Sequence, residues 1–237
     1  IRVGAFKGND ATTIISDKLI DGNLFEQVTK AEEAIKFAIN VKYSITGKTS
    51  ERQEIWDYPL SAIRETLLNS IVHRDYFDKT SPIQIKIFKD WLCFYNPGEL
   101  VDDLTIENLK TSHPSKTRNP LIASIFYRAG FIEKFGSGID RIINACRKEI
   151  IPQPEFIEEC GGFSVKFKKE FVQLNERQNK ALSVIKEKGL ISNSEYQEIS
   201  GATRETSKRD LALMLKLGIL HKTGEGKTTK YSVLETE

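Results

Sequence analysis

Hydrophobic residues recur at helical spacing over residues 22–40 and then give way to a strand-like stretch. The apolar face of the predicted helix comprises Leu24, Val28, Ala31, Ile35 and Ala38. The stretch "VKYSIT" has the character of a strand, whereas residues 48–57 are polar and predict a loop. A second helix is predicted from about Leu60 to Val72, where apolar residues again return with a helical period. This part of the chain therefore predicts helix, strand, loop and helix.

Two antiparallel strand pairs are predicted downstream. "PIQIKIF" alternates cleanly, and Lys89-Asp90 turns the chain into "WLCFYN". "EFIEEC" and "GFSVKFKK" are two further strands joined at Gly161-Gly162. Between the pairs lie an "NPGEL" break, a polar stretch, a helix near 119–129 and "FIEKFGSGIDRIINACRKE". This order predicts an α+β fold with a mixed sheet.

The pattern changes near residue 170, where we expect a domain boundary. Three short helices follow in "NERQNKALSVIKEKG", "SNSEYQEISG" and "TRETSKRDLALMLKLG", and "ILHKTGEGKTTKYSVL" predicts a hairpin with a glycine-rich tip. The predicted N-caps are Asn175, Asn193 and Thr203, and the predicted C-terminal stops are Gly189, Gly201 and Gly218. Three helices and a hairpin predict a winged helix-turn-helix domain.

The composition is that of a soluble globular protein. The chain has 237 residues, of which 39% are hydrophobic and 29% charged, and its net charge of +2 demands no polyanionic partner. It has no apolar run that could span a bilayer and no signal peptide, so no membrane partner is expected. Three cysteines without C-x-x-C spacing argue against a disulfide framework or metal site and favour the cytoplasm. Since the chain starts at Ile1 and its only methionine is Met214, we expect a fragment or processed product.

A polar stripe crosses the second predicted helix in "RETLLNSIVHRDY". Glu65, Asn69 and His73 fall at i, i+4 and i+8, which places them on one side of the helix. Spacing alone also fits side chains that only solvate a helix face. The "HRD" within the stretch is not a kinase catalytic loop, because the position five residues after the aspartate is Thr80 instead of asparagine.

A second stretch imitates a phosphate-binding loop. "GEGKTT" ends like a P-loop, but that motif needs a glycine five residues before Gly226, where His221 stands. A strand, and not a helix, is predicted to follow it. We therefore interpret "GEGKTT" as the tip of the C-terminal hairpin.

The order of these motifs resembles the GHKL group of ATP-binding domains, which includes DNA gyrase, bacterial histidine kinases and MutL. "AIRETLLNSIVHRDY", "YNPGEL" and "TRNPLIASIFYRAGFIEKFGSGIDRI" more closely resemble a divergent branch, found in transcriptional regulators of bacteria and archaea. Those proteins carry a C-terminal winged helix and often an upstream AlbA-like DNA-binding domain. The resemblance implies a Bergerat-type two-layer α/β sandwich at 58–170 and a winged helix at 171–237. Residues 1–57 would be a linker or the N-terminal part of the GHKL-like domain.

The resemblance also implies roles for individual residues. Asn69 would bind a Mg²⁺ ion that bridges the phosphates of ATP, and Glu65 would be the catalytic base for the attacking water. Mg²⁺ accepts a single amide oxygen when phosphate oxygens complete its shell. The glycines of "GSG" precede a helix whose free N–H groups and dipole suit a phosphate. The predicted nucleotide-binding residues are Asn69, His73, Asn96, Gly98, Arg118, Gly136, Ser137 and Gly138.

Each of these residues also has a structural interpretation. His73 could be a cation at the C-terminal end of the helix or a structural hydrogen-bonding residue. "GSG" could be only a tight turn, and Arg118 could belong to a helix start or to a lid over phosphate. The chain also departs from the family at the base-binding box, where a D-x-G-x-G motif is expected. Asn96 replaces the aspartate and only Gly98 is present, so adenine would lose a charge-assisted hydrogen bond. We therefore expect weak binding and slow or absent hydrolysis.

The predicted third helix of the C-terminal domain is the candidate recognition helix. Its core side is predicted to be Leu211, Leu213, Met214 and Leu217. The predicted DNA-binding residues are Arg204, Thr206, Ser207, Lys208 and Arg209 on the helix and Lys222, Lys227 and Lys230 on the hairpin. Residues 170–237 contain eleven Lys and Arg and ten Asp and Glu, so a lone domain should bind weakly. A homo-oligomer or an upstream domain would add avidity.

The sequence thus predicts a cytoplasmic transcriptional regulator that binds DNA and whose GHKL-like domain binds an adenine nucleotide with Mg²⁺. Two alternatives stay open. The chain could be a slow ATPase whose winged helix mediates protein contacts. It could also be a nucleotide-free structural domain that serves dimerisation.

Overall fold

The computed structural model describes residues 1–45, 52–101, 104–109, 116–133, 138–149, 151–169, 174–217 and 219–233. The chain divides into two compact units. The first unit comprises Ile1–Cys146 and Gln153–Glu170, and the second comprises Arg147–Pro152 and Phe171–Glu237. Within the described part of the chain, no helix combines the length and apolar character needed to cross a bilayer.

The strands of the first unit form a six-stranded mixed sheet and a separate two-stranded one. The strands are β1 (Arg2–Phe6), β2 (Ile14–Leu19), β3 (Val41–Ile45), β4 (Arg52–Trp56), β5 (Gln84–Ile87), β6 (Trp91–Pro97), β7 (Glu155–Glu159) and β8 (Gly162–Lys168). The large sheet has the order β2-β1-β5-β6-β8-β7, in which only β1 and β5 are parallel. The predicted β5–β6 and β7–β8 pairs are confirmed. The expected α+β fold with a mixed sheet is therefore present.

Helices cover one face of the large sheet. The helices of this unit are α1 (Leu24–Ala38), α2 (Leu60–His73), α3 (Ile106–Leu109), α4 (Pro120–Arg128) and α5 (Gly138–Lys148). Their apolar sides pack with inward residues of the strands, such as Ile85, Phe94 and Phe167, in one core. Strand alternation places Asn96, at the end of β6, on the same inward face as Leu92 and Phe94. A polar side chain thus extends an otherwise apolar layer.

The loop predicted at 48–57 is wrong in its second half. β4 pairs antiparallel with β3 from Val41↔Trp56 to Ile45↔Arg52. The sequence of β4 is polar except for its last two residues and lacks the alternation that reveals a strand. Asp57 follows β4 and is buried, where its Oδ2 accepts from the Asn40 backbone N at 3.2 Å and contacts the Lys169 Nζ at 2.6 Å.

The second unit contains three helices and a small antiparallel sheet. Its elements are α6 (Glu176–Lys188), β9 (Leu190–Ile191), α7 (Asn193–Ser200), α8 (Arg204–Lys216), β10 (Leu220–Thr223) and β11 (Lys230–Val233). The sheet order is β10-β11-β9. "GEGKTT" lies between β10 and β11 in a hairpin, as the sequence predicted. A β-strand and not a helix follows it, so it is not a P-loop.

Most of the predicted helix caps of this unit are confirmed. Asn175 and Thr203 cap α6 and α8. Gly189 and Gly201 end α6 and α7 with positive φ, whereas Gly218 lies outside the described residues.

The prediction of Asn193 as a cap is wrong, because Ser192 is the N-cap of α7. Ser192 Oγ accepts from the Glu195 N, and the Glu195 carboxylate accepts from the Ser192 N at 2.7 Å. This reciprocal pair satisfies two backbone donors that Asn193 could not satisfy together.

The core of the second unit is built around α8. Leu211 and Met214 are buried as predicted, and Leu217 is partly buried. Leu213 is 42% exposed, so its predicted place in the core is wrong. A helix turns about 100° per residue, so Leu213 and Met214 cannot both point inward with Leu211 on a narrow face.

Candidate functional site

A cavity of about 160 Å³ in the first unit opens between the end of β6 and helices α2 and α5. Its lining residues include Glu65, Asn69 and His73 from α2, Phe94 and Asn96 from β6, Gly98, Lys116 and Thr117 from loops, and Gly138, Ile139, Arg141 and Ile142 from α5. The predicted polar stripe therefore faces a cavity with apolar walls. Concave, largely apolar sites with a few convergent polar groups are typical of small-ligand pockets.

The start of α5 lies directly against the polar stripe. A Cβ atom at Gly138 would lie 2.5 Å from Glu65 Oε1 and 3.1 Å from Asn69 Nδ2, so a larger residue would displace these side chains. The first N–H groups of a helix have no partner within the helix and carry the positive end of its dipole. An anion next to Asn69 would therefore lie at the positive end of this helix. Gly136 and Ser137, also predicted to bind nucleotide, lie outside the described residues.

Glu65 is held by a guanidinium group that the sequence analysis did not single out. Arg141 Nη2 donates to Glu65 Oε1 at 2.9 Å, and Arg141 Nε donates to Glu65 Oε2 at 3.3 Å. Arg141 Nη1 also contacts Glu133 Oε2 at 2.7 Å. The only available signal was that Arg141 follows Gly138 by three residues and so shares its side of α5. The role of Glu65 as a catalytic base stays a prediction.

Asn96 supplies a buried polar atom at the other end of the pocket. The residue is 5% exposed, and its Oδ1 has no hydrogen-bond partner within the described part of the chain. An unpaired buried amide costs free energy, on the order of 1–3 kcal/mol in proteins. The unpaired oxygen is therefore either an unfavourable feature of the fold or an acceptor whose hydrogen bond a ligand supplies.

His73 lines the same pocket as a neutral imidazole. Burial, and secondly the positive charge of Arg118, lower the pKa of His73 to about 4. The ring therefore offers the pocket one donor and one acceptor at neutral pH instead of a positive charge. The structure thus makes His73 an uncharged part of the pocket wall.

Gly98 and Arg118 form a close contact beside the pocket. Gly98 has φ +113°, and a Cβ there would lie 3.1 Å from the Asp75 N and 3.2 Å from Arg118 Nε. Arg118 Nη2 donates to the Glu99 carbonyl at 2.7 Å, and Arg118 Nε is buried with no partner among the described residues. Arg118 therefore fixes the loop after β6 to the start of α4.

The "HRD" and "RNP" stretches meet at the end of α2. Asn119 Nδ2 donates to the Val72 and Arg74 carbonyls at 2.9 and 2.7 Å, which satisfies the end of the helix. Arg74 donates to the Ser81 and Asp78 carbonyls. These side chains hold a turn, in agreement with a structural rather than catalytic role for "HRD". Pro120 is the first residue of α4, as expected for a helix start.

The candidate DNA-binding side chains of α8 differ in exposure. Arg204, Lys208 and Arg209 are exposed, and Thr206 is half-buried. Ser207 is fully buried, and its Oγ contacts the Asn193 Oδ1 at 3.1 Å and the Arg204 carbonyl at 3.0 Å. Ser207 is thus unavailable to a ligand.

The hairpin of the second unit presents fewer free charges than its sequence indicates. Lys222 is exposed, whereas Lys230 Nζ lies 3.4 Å from Glu195 Oε2. Hydrogen bonds from the Ser192 backbone and side chain, aided by Lys230, lower the pKa of Glu195 to about 2. Glu195 is therefore charged at neutral pH and would compete with DNA phosphates for Lys230. The Lys227 side chain lies outside what the structure describes.

Two comparisons with known proteins bear on the first unit and on the fold. Residues 80–167 match a family described as "Putative ATP-dependent DNA helicase recG C-terminal", which is an ATPase-like domain. This range includes Asn96, Gly98 and Gly138, but it begins after the polar stripe of α2. No curated protein matches the chain.

The chain also resembles a solved structure, the DIP2311 protein from Corynebacterium diphtheriae. The two are 18% identical with a TM-score of 0.64, and the match covers 98% of this chain and 51% of that chain. The likeness shows a shared fold. This chain spans about half the length of that protein.

Proposed function

We propose that the first unit binds an adenine nucleotide with Mg²⁺ in the pocket between α2, β6 and α5. One observation carries this proposal. At one end of a single pocket, the buried amide oxygen Asn96 Oδ1 has no partner among the described residues. At the other end, α5 begins at Gly138, whose missing side chain lets the helix start lie against Asn69. The first feature fits a base and the second a phosphate chain, and the ATPase-like family match supports the assignment.

At the base end, the side chain of Asn96 would complete its hydrogen bonds with the ligand. An amide oxygen accepts from an exocyclic amine, which adenine has at the edge that such pockets read. The bond would remove the cost of the unpaired oxygen. Since Asn96 carries no charge, the bond is weaker than that of a carboxylate, and we expect millimolar rather than micromolar binding.

At the phosphate end, Asn69 and the start of α5 would act together. Among the described residues, no group of three or more His, Cys, Asp or Glu side chains could hold a metal ion. Mg²⁺ would therefore depend on the amide oxygen of Asn69 and on phosphate oxygens, a donor set that suits it. The ion would neutralise phosphate charge, and the Gly138 end of α5 would offer N–H donors.

Calorimetric titration with ATP, with and without Mg²⁺, tests this proposal. Wild type should bind ATP at millimolar concentration only with Mg²⁺, and GTP more weakly. Asn69→Ala should abolish the metal-dependent part. Ser61→Ala, an exposed position on the same helix, is the matched control and should bind as wild type does. If wild type takes up no ATP at millimolar concentration, the nucleotide role is wrong and a structural, dimerising domain becomes the better account.

We also propose that the second unit is a winged helix that binds DNA, as part of a cytoplasmic transcriptional regulator that acts as a homo-oligomer. The supporting observation is the charge at the start of α8. Arg204 is its first residue, and Lys208 and Arg209 follow, all exposed. A cation at a helix N-terminus opposes the dipole, so its presence favours an anionic partner. Such a helix reads bases from the major groove with its first turns.

A salt-titrated binding assay on duplex DNA tests this second proposal. Arg204→Ala/Lys208→Ala should lose discrimination between sequences, whereas Lys222→Ala/Lys227→Ala should weaken binding uniformly. Each lost phosphate contact should flatten the logarithmic salt slope by about 0.9. Lys180→Ala/Lys188→Ala removes the same charge from exposed positions on α6 and is the control. Equal binding by all four proteins would assign this unit to protein contacts instead.

A further inference from the structure

Glu65 is confined on two sides by the first turn of α5. Arg141 contacts both of its carboxylate oxygens, and a Cβ atom at Gly138 would lie 2.5 Å from Oε1. Gly138 and Arg141 are three residues apart and therefore share one side of the helix. The Glu65 side chain is 13% exposed and that of Arg141 is 34% exposed, so water screens the ion pair only in part. A single helix turn thus fixes the position of this carboxylate.

The ion pair bears directly on the chemistry expected of Glu65. In hydrolysis, the oxygen of a water molecule would bond to the γ-phosphorus while the bond to the bridging oxygen of ADP breaks. The water proton would pass to Glu65, and the bridging electron pair would leave with ADP. A base must be able to accept that proton. Arg141 occupies both carboxylate oxygens of Glu65, and the start of α5 crowds Oε1, so the carboxylate is held against α5 instead of being free to turn toward a water molecule in the pocket.

We propose that Arg141 is a positioning residue that holds Glu65 in this ion pair, so that the pocket binds nucleotide without turning it over. The inference rests on the proposed nucleotide binding. Arg141 also has a second carboxylate partner, because its Nη1 lies 2.7 Å from Glu133 Oε2 and Glu133 is 75% exposed. If the contact with Glu65 were lost, Arg141 would therefore keep its ion pair with Glu133. We call the ion pair of Arg141 with Glu65 the lock.

Substitution of Arg141 tests the lock by activity. With Mg²⁺ and ATP, Arg141→Gln should hydrolyse ATP about tenfold faster than wild type or more, the lower range of what a freed general base contributes. Glu65→Gln/Arg141→Gln should return to the wild-type rate, because the freed base is then absent. Arg141→Lys keeps a point charge without the bidentate fork and should fall between the two. Arg128→Gln, an exposed arginine on α4, removes the same charge outside the pocket and should behave as wild type does.

Two further measurements separate the lock from a merely structural role and from failure of the proposed function. The dissociation constant of ATP with Mg²⁺ should change less than about fivefold in Arg141→Gln, a small effect beside the rate gain. Without nucleotide, Glu65→Gln and Arg141→Gln should each lower the melting temperature, and the double variant should lower it no further than either one. Circular dichroism and Arg141→Lys keep the test valid if Arg141→Gln folds poorly.

The contrary outcomes are distinct. If Arg141→Gln binds ATP but hydrolyses it no faster than wild type, the lock is overturned and Glu65 only anchors α5. If the rate rises equally in the double variant, Glu65 is not the base. If no variant binds ATP, the nucleotide function fails and the lock with it, whatever the melting temperatures.

Discussion

The buried polar groups of the two units differ in how completely they are paired. In the second unit, Asp210 is buried, and its carboxylate contacts the Tyr196 hydroxyl at 3.0 Å and Arg177 Nε at 3.2 Å. Asn175 and Gln178 complete this cluster, which joins three helices. In the first unit, four buried atoms have no partner among the described residues: Asp57 Oδ1, Tyr58 Oη, Asn96 Oδ1 and Arg118 Nε.

At Asn96 and Arg118 this difference points to a ligand site, whereas Asp57 and Tyr58 do not line the pocket and nothing in the structure explains their unpaired atoms. Most buried polar atoms in native proteins are hydrogen-bonded, so an unpaired one calls for an explanation. The Asp210 cluster needs none, because each of its members is satisfied within the unit. Asn96 lies in a pocket, and Arg118 is packed over Gly98 beside it, so a ligand or its water can complete the site. Substitution of Asp210 should therefore lower the free energy of unfolding, whereas substitution of Asn96 should leave it unchanged or raise it.

The largest expected effect is the loss of Asp210. Asp210→Ala should destabilise the second unit by about 2–4 kcal/mol, because the Tyr196 hydroxyl and the amides of Asn175 and Gln178 lose a shared buried acceptor. Glu205→Ala, an exposed acidic residue on the same helix, should change the free energy of unfolding by about 0.5 kcal/mol or less. Urea unfolding followed by circular dichroism measures both. Equal effects of the two would mean that the Asp210 cluster is not what holds the three helices together.

The next effect is a pH dependence of the first unit that comes from His73. Its pKa is about 4 in the folded chain and 6.5 ordinarily. Between these values the unfolded chain binds a proton that the folded chain does not bind, so the free energy of unfolding falls as the pH falls from about 6.5 to 4. The loss should be about 2–3 kcal/mol.

His73→Gln should remove that slope. Stability measured at intervals between the two pH values, in wild type and variant, gives the difference directly. If the two proteins have parallel profiles over this window, the imidazole is not buried as a neutral group.

Substitution of Asn96 tests whether an unpaired buried amide serves the ligand and not the fold. Asn96→Leu removes the unpaired amide and should leave the first unit unchanged or more stable by about 1 kcal/mol. The same change should weaken ATP binding about tenfold, or about 1.4 kcal/mol. Chemical unfolding and calorimetry on one preparation give both values. A loss of stability of several kcal/mol would show that Asn96 is part of the fold and not of a ligand site.

The smallest expected effect on stability is at the exposed cations of α8. Arg204→Ala/Lys208→Ala should alter the free energy of unfolding by about 0.5 kcal/mol or less, because neither side chain is buried. Its effect should be confined to DNA affinity. Thermal unfolding without DNA checks the first statement, and a clear drop in melting temperature would make these residues structural.

The sequence predicted the elements whose pattern depends on burial or on local capping. The β5–β6 hairpin follows from alternating isoleucines, and the caps Asn175 and Thr203 follow from short-range hydrogen bonds. β4 was not predicted, because its sequence is mostly polar and does not alternate. Ser207 and Leu213 were misplaced because the rotation of α8 about its axis is set by its neighbours in the core.

The candidate site was predictable in part for a similar reason. The spacing of Glu65, Asn69 and His73 is local and could be read directly. Arg141 could not be assigned, because its contact with Glu65 joins residues that are 76 positions apart. Only the packing of α5 on α2 brings them together. Long-range pairs of this kind leave no periodic signal in a single sequence.

Hydrogen exchange by mass spectrometry, with and without nucleotide, tests the central claim most directly. With Mg²⁺ and millimolar ATP, exchange should slow at residues 65–73, 94–98 and 138–142, which line the pocket, and stay unchanged in α8. Duplex DNA should slow exchange in α8 instead. ATP without Mg²⁺ should have little effect on either region. Unchanged exchange at all three pocket segments with Mg²⁺ and ATP would contradict the assignment of this pocket as a nucleotide site.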